Sequence, residues 1–123
     1  MQRVLVVEDS SLVQSIVRVA LRRYGGIDVA CASDGVEALA AIARDGEPDL
    51  MLLDINMPRM SGLELLGELR AAGTLPRLPV IIVSTEGEED DVRRGLDAGA
   101  RAYVKKPFRP HELCQVIDRV MAD

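Results

Sequence analysis

Four short apolar runs in this sequence stop on residues that can do chemistry. "VLVV", residues 4–7, runs into Glu8 and Asp9. "LMLL", residues 50–53, runs into Asp54. "VIIV", residues 80–83, runs into Ser84, and "YV", residues 103–104, runs into Lys105 and Lys106. A carboxylate is costly to bury unless a cation or hydrogen bonds compensate it. An acid that closes a strand-like run therefore needs a partner.

Gathered at one place, Glu8, Asp9 and Asp54 would repel one another until one protonated or a cation bound. An all-oxygen donor set favours a hard ion, and Mg²⁺ is the common one that keeps several waters. Two acids could then hold the metal while the third acts as a nucleophile, since carboxylates form aspartyl phosphates. A phosphoryl group in transfer spreads negative charge that needs a metal and cationic or hydroxyl donors around it. Ser84 offers the hydroxyl and Lys106 the mobile ammonium. Each residue alone has a plainer reading: Asp9 as a helix N-cap, Ser84 as a turn residue, the lysines as a solvated pair. The argument lies in their joint placement at strand ends.

That placement depends on the elements between them. Strands are expected at Val4–Val7, Val29–Ala32, Leu50–Leu53, Val80–Val83 and, weakly, Tyr103–Val104. Leu12, Val13, Ile16, Val17, Ala20 and Leu21 share one helical face after Ser10, and Gly25-Gly26 stops that helix. Asp34, with Glu37 three residues on, resembles a capping box, and Ala38, Leu39 and Ile42 face inward behind it. A third helix starts near Ser61, carries Leu63, Leu66 and Leu69, and ends at Gly73. The fourth, about Glu88 to Asp97, is the least apolar, anchored by Val92 and Leu96. The fifth opens at Pro110, which suits a first helical position, and carries the stripe Leu113, Val116, Ile117, Val120.

Strand–helix alternation repeated five times implies an α/β fold, a parallel sheet with helices on both faces. In the doubly wound, flavodoxin-like order 2-1-3-4-5, strands one and three are neighbours across the point where the order reverses, and ligands bind there. Glu8, Asp9 and Asp54 would meet at that point. The 123 residues suit one domain. Apolar residues are 48% of the chain, with only Tyr24, Tyr103 and Phe108 as aromatics, so the core is aliphatic. The net charge of −5 and the lack of a basic, aromatic-laced patch argue against nucleic acid as a direct partner. No apolar run reaches the length of a membrane span, so a cytoplasmic location is expected. Cys31 and Cys114 read as buried free thiols, and His111 as a surface residue in the first turn of the last helix.

With "RVLVVEDS", "LLDINMPRMSGLELL", "PVIIVSTEG" and "DAGARAYVKKPF" in this order, the chain resembles the receiver domain of two-component response regulators, most closely the single-domain chemotaxis type. The resemblance spans nearly the whole chain and implies one receiver domain over 1–123, with no output domain following. It implies that Asp54 accepts a phosphoryl group from a histidine kinase. Glu8, Asp9 and Asp54 would bind Mg²⁺ with the main-chain carbonyl of Asn56. Lys106 would contact the phosphoryl oxygens and Ser84 would hydrogen-bond one of them. Tyr103 would be the aromatic whose rotamer reports Ser84, and Lys106–Pro107 would be a cis bond. Asn56 and Glu86, two residues after the acceptor and after Ser84, would tune self-dephosphorylation. Ser84 stands where Thr is commoner but keeps the hydroxyl, and "STEGEEDD" makes the fourth helix start unusually acidic.

The expected function is thus a phosphorylation-controlled binding module, a phosphoacceptor and not a turnover enzyme. It would be a monomer with a sensor histidine kinase upstream. Its downstream protein, a flagellar motor switch for instance, would dock on helix 4, strand 5 and helix 5. A phosphorelay intermediate, or a receiver taken from a longer regulator, is the alternative. An aspartate-nucleophile phosphatase would have a second acid where Asn56 stands. A flavin- or nucleotide-binding protein of this fold would have a Gly-rich loop where "EDSS" stands.

Overall fold

The computed structural model describes residues 1–122. Its strands are β1 (Arg3–Val7), β2 (Asp28–Ala32), β3 (Leu50–Asp54), β4 (Val80–Ser84) and β5 (Ala102–Lys105). Its helices are α1 (Ser11–Leu21), α2 (Gly35–Asp45), α3 (Gly62–Ala71), α4 (Glu89–Ala98) and α5 (Pro110–Met121), and a 3₁₀ turn, Arg22–Tyr24, follows α1. All neighbouring strands pair in parallel, in the order β2-β1-β3-β4-β5. This is the expected flavodoxin-like sheet, with its switch point between β1 and β3.

The three central strands are apolar on both sides because both sides are covered. Leu5, Val7, Met51, Leu53, Val80 and Ile82 face a core with α2, α3 and α4, and Val4, Val6, Leu50, Leu52, Ile81 and Val83 face a second core with α1 and α5. Burying a leucine side chain of this kind contributes about 1.5–3 kcal/mol. That is the force that fixes the register, Val7 opposite Leu53 and Asp54 opposite Val83.

Local signals set where the helices begin. Ser10, Asp34 and Ser61 cap α1, α2 and α3 by accepting the N–H of Val13, Glu37 and Glu64. Since Ser10 caps α1, the Asp9 carboxylate is free for other work. At α3 the capping box closes, Glu64 accepting from the Ser61 N–H. At α2 it does not close as expected: the Glu37 carboxylate passes Asp34 and accepts from Ser33 N–H at 2.9 Å. Gly62 begins α3 pressed on the end of β3, where a Cβ would lie 2.6 Å from the carbonyl oxygen of Asp54. Lys106–Pro107 is cis, as is Leu75–Pro76.

Two expectations are corrected. Leu12 is 69% exposed. The α1 stripe is fully buried only from Val17 onward; Val13 and Ile16 are partly buried against the core, and Leu12 borders an open cavity with Pro107 and Phe108. Cys31 is half-buried, since β2 is an edge strand, and its sulfur accepts from Arg18 Nη2 at 3.3 Å. Cys114 is buried as expected, and His111 lies exposed near the start of α5.

Candidate functional site

The carboxyl ends of β1, β3 and β5 bring four of the expected residues together. One carboxylate oxygen from each of Glu8, Asp9 and Asp54 lies within 4.8 Å of the others. Glu8 and Asp54 are buried and Asp9 is exposed, so the cluster opens to solvent on one side. Lys106 reaches in from beyond β5. Its Nζ lies 2.7 Å from Glu8 Oε1 and 3.6 Å from Asp54 Oδ2.

The electrostatics of the cluster are strained. Burial pushes the Glu8 carboxyl well above the usual carboxylate range, and the neighbouring Asp54 pushes it the same way, while Lys106 pulls it down. Burial works against the Lys106 ammonium, but the hydrogen bond to Glu8 and the charges of Asp54, Glu8 and Asp9 outweigh it and hold the ammonium above its ordinary value. The second oxygen of Glu8, Oε2, is buried and has no hydrogen-bond partner among the described residues. A buried, unsatisfied carboxylate oxygen is expensive. Three close carboxylates, one with an orphaned oxygen, fit a hard divalent cation, whose ligands are oxygens.

The loop after β3 borders the same cluster. Asn56 is exposed, and its N–H donates to Asp54 Oδ1 at 3.2 Å. Ser84 ends β4 buried, one position beyond the Val83 that pairs with Asp54, and its carbonyl accepts the N–H of Lys106 at 2.6 Å. Tyr103 is 51% exposed on β5 and lines, with Ser84, Val92 and Leu96, a cavity of about 270 Å³ under α4. Glu86 lies outside the acidic cluster, exposed, with its carboxylate 3.6 Å from Lys105 Nζ. Sequence reasoning missed Arg59. It binds Asp34 across 25 positions, a separation no local pattern spans.

A doubly wound parallel sheet with three acids and a lysine converging at its switch point defines a class of α/β protein built around an acidic, cation-ready pocket. The chain belongs to the response regulator receiver domain family, whose model matches residues 4–118. It is 38% identical over 119 residues to a chemotaxis protein CheY homolog of Campylobacter jejuni, covering 97% of this chain and 92% of that one. Its structure is similar to that of chemotaxis response regulator CheY4 of Vibrio cholerae, with a TM-score of 0.85 and 33% identity, over 98% of each chain. It also superimposes on NtrX from Brucella abortus with a TM-score of 0.88 and 32% identity; the match covers 99% of this chain and 27% of that longer one. The chain is a receiver domain, and the receiver function is that of a phosphorylation-dependent signalling switch.

Proposed function

We propose that Asp54 accepts a phosphoryl group from the phosphohistidine of a sensor kinase, and that the acyl phosphate changes the affinity of this chain for a downstream protein. The observation that carries the reading is the Asp54 carboxylate, buried at the end of β3, between Lys106 at 3.6 Å and the carboxylates of Glu8 and Asp9. In the transfer, the P–N bond to histidine breaks and a P–O bond to an Asp54 oxygen forms. Glu8, Asp9, Asp54 and the main-chain carbonyl of Asn56 would hold Mg²⁺. When bound, that ion neutralises charge on the phosphoryl oxygens. Lys106 orients the group by pairing with another of its oxygens, and Ser84 hydrogen-bonds a third. As Ser84 moves, Tyr103 turns from solvent into the cavity they both line.

The whole chain, 1–123, acts as one receiver domain, a monomeric cytoplasmic phosphoacceptor that transfers the phosphoryl group to itself and later hydrolyses it. Its readout face is α4, β5 and α5. Likeness to chemotaxis proteins over almost their full length supports a chemotaxis output, the flagellar motor switch being one such target. Likeness to about a quarter of the longer NtrX chain supports a second reading, a receiver that acts within a longer regulator or a phosphorelay.

Incubation with acetyl phosphate and Mg²⁺, followed by intact-mass measurement, tests the assignment. One phosphate adduct is expected, lost in Asp54→Asn and in excess chelator. A full adduct in either case overturns Asp54 as the Mg²⁺-dependent acceptor.

A further inference from the structure

We propose that Arg59 is a positioning residue that latches the loop after Asp54 onto the start of α2, and so sets how tightly the acidic site holds its divalent cation. The inference rests on the reading of Glu8, Asp9, Asp54 and Asn56 as a Mg²⁺ site.

Residues 55–61 join β3 to α3; the loop starts tied to β4, and its two ends are tied to each other. Ile55 N–H donates to the carbonyl of Val83 at 3.1 Å, and Gly62 N–H to that of Ile55 at 3.2 Å. The middle is tied to a distant element. Arg59 Nε and Nη2 both lie 2.5 Å from Asp34 Oδ2, and Glu37 Oε2 lies 3.6 Å from Nη2. The next residue repeats the contact, Met60 accepting the N–H of Gly35 at 3.3 Å. Gly35 lets the two loops touch, since a Cβ there would stand 2.6 Å from Met60 Cγ.

Asp34 gives this latch its strength. Its side chain is 5% exposed, and its other oxygen already accepts the N–H of Glu37 at 2.9 Å. Without the guanidinium, a buried charge would lose its one cation partner among the described residues. Arg59 is also the one non-glycine residue with positive φ among the described residues, at 60°. A side-chain-bearing residue holds that conformation only where its surroundings over-determine it. The ion pair to Asp34 and the Gly35–Met60 contact provide that determination.

The latch bears on chemistry through Asn56. This residue sits three positions before Arg59, on the same short loop, and its N–H is bonded to Asp54. Its carbonyl is the proposed fourth cation ligand. Releasing Arg59 frees the loop to move and lowers the occupancy of the ligand geometry. Arg59 touches none of the reacting atoms and acts by way of the backbone.

The variant R59G separates this role from a purely structural one. Glycine adopts φ near 60° without strain, so the loop backbone stays allowed while the ion pair is lost. Mg²⁺ affinity by titration calorimetry is measured for the wild type, R59G and R59K, with amide exchange of residues 56–61 read on the same samples. R59G is expected to bind Mg²⁺ about tenfold more weakly, the scale on which outer partners of metal ligands act. Exchange at 56–61 should quicken, and R59K, which keeps the charge but not the paired donors, should fall between. Should R59G fold poorly in chelator, R59K carries the comparison. Wild-type Mg²⁺ affinity in the folded variants overturns the positioning role. Unchanged exchange at 56–61 overturns the latch itself, whatever the site binds. A wild type that binds no Mg²⁺ overturns the site reading beneath both.

Discussion

Lys106 Nζ lies 2.7 Å from Glu8 Oε1, joining residues 98 positions apart across the mouth of the sheet. The contact sets one acid against another, because the same ammonium lies 3.6 Å from Asp54. A phosphoryl group on Asp54 brings more negative charge than a carboxylate. It would draw Lys106 away from Glu8, and the cation at Glu8 would compensate the loss. Burial and the neighbouring Asp54 make Glu8 a costly carboxylate, a cost that the proposed cation would offset.

Glu8→Gln should stabilise the chain in chelator by about 1 kcal/mol, the scale typical of relieving a strained functional site. The substitution removes a buried carboxyl that burial and Asp54 make costly to ionise, and leaves an amide of the same size. Thermal unfolding of the two proteins with and without Mg²⁺ measures it. The wild type should gain more from Mg²⁺ than the variant, so the ranking narrows or reverses as the ion is added.

Asp34 predicts a pH dependence of stability. The N–H of Glu37 holds its carboxyl below the ordinary value of 3.8, and the Arg59 guanidinium adds to this against a burial cost. A depressed folded value means the unfolded chain takes up the proton first. The stability from Asp34 is present above pH 3.8 and is lost as pH falls through the lower folded value. Asp34→Asn should thus be less stable than wild type at neutral pH. In denaturant titrations the gap should close as pH drops below 3.8. A gap constant with pH would show that shape, not charge, carries the contact.

Beryllofluoride, a phosphoryl mimic, should shift NMR signals of Ser84, Tyr103 and residues 86–97. Tyr103 starts half-exposed beside a cavity it can enter, and Ser84 lines the same cavity. The exposed, acidic first turn of α4 rests on few apolar anchors, Val92 and Leu96 chief among them, so this helix can move at low cost. Shifts confined to the loops around Asp54 would leave a phosphate acceptor without the switch.

Asn56 and Glu86 should shorten the life of the acyl phosphate by holding the attacking water. Both are exposed, Asn56 beside Asp54 and Glu86 tethered 3.6 Å from Lys105. Replacing both with bulky apolar residues should lengthen the phosphoryl lifetime several-fold, followed by loss of the mass adduct over time. Unchanged or faster decay rejects water positioning.

Much of this could be read from the chain because the signals are local. The apolar runs, the helix starts after Ser10 and near Ser61, the cap at Asp34 and Pro110 at the start of α5 act within a few residues, so spacing alone exposes them; that Ser10 and not Asp9 caps α1 took the structure. The acids at strand ends were visible for the same reason. Their convergence followed once the strand order was supplied, since parallel strands carry their carboxyl ends to one edge. Leu12 misled because periodicity says which side of a helix a residue occupies, not whether another element packs over it.

The amino-acid sequence by itself determined the elements, the two apolar faces of the sheet, and the strand ends that carry chemistry. Tertiary structure alone decided which charges pair: Lys106 with Glu8, and Arg59 with Asp34. It also decided that Tyr103 stands outside its cavity and that Cys31 lies half-buried at an edge. The reason is range. Propensity, capping and periodicity act over one or two helical turns, whereas these contacts join residues 25 to 98 positions apart. Such pairs exist only after the parallel crossovers have stacked the strands, and their energies depend on burial that no single segment possesses alone.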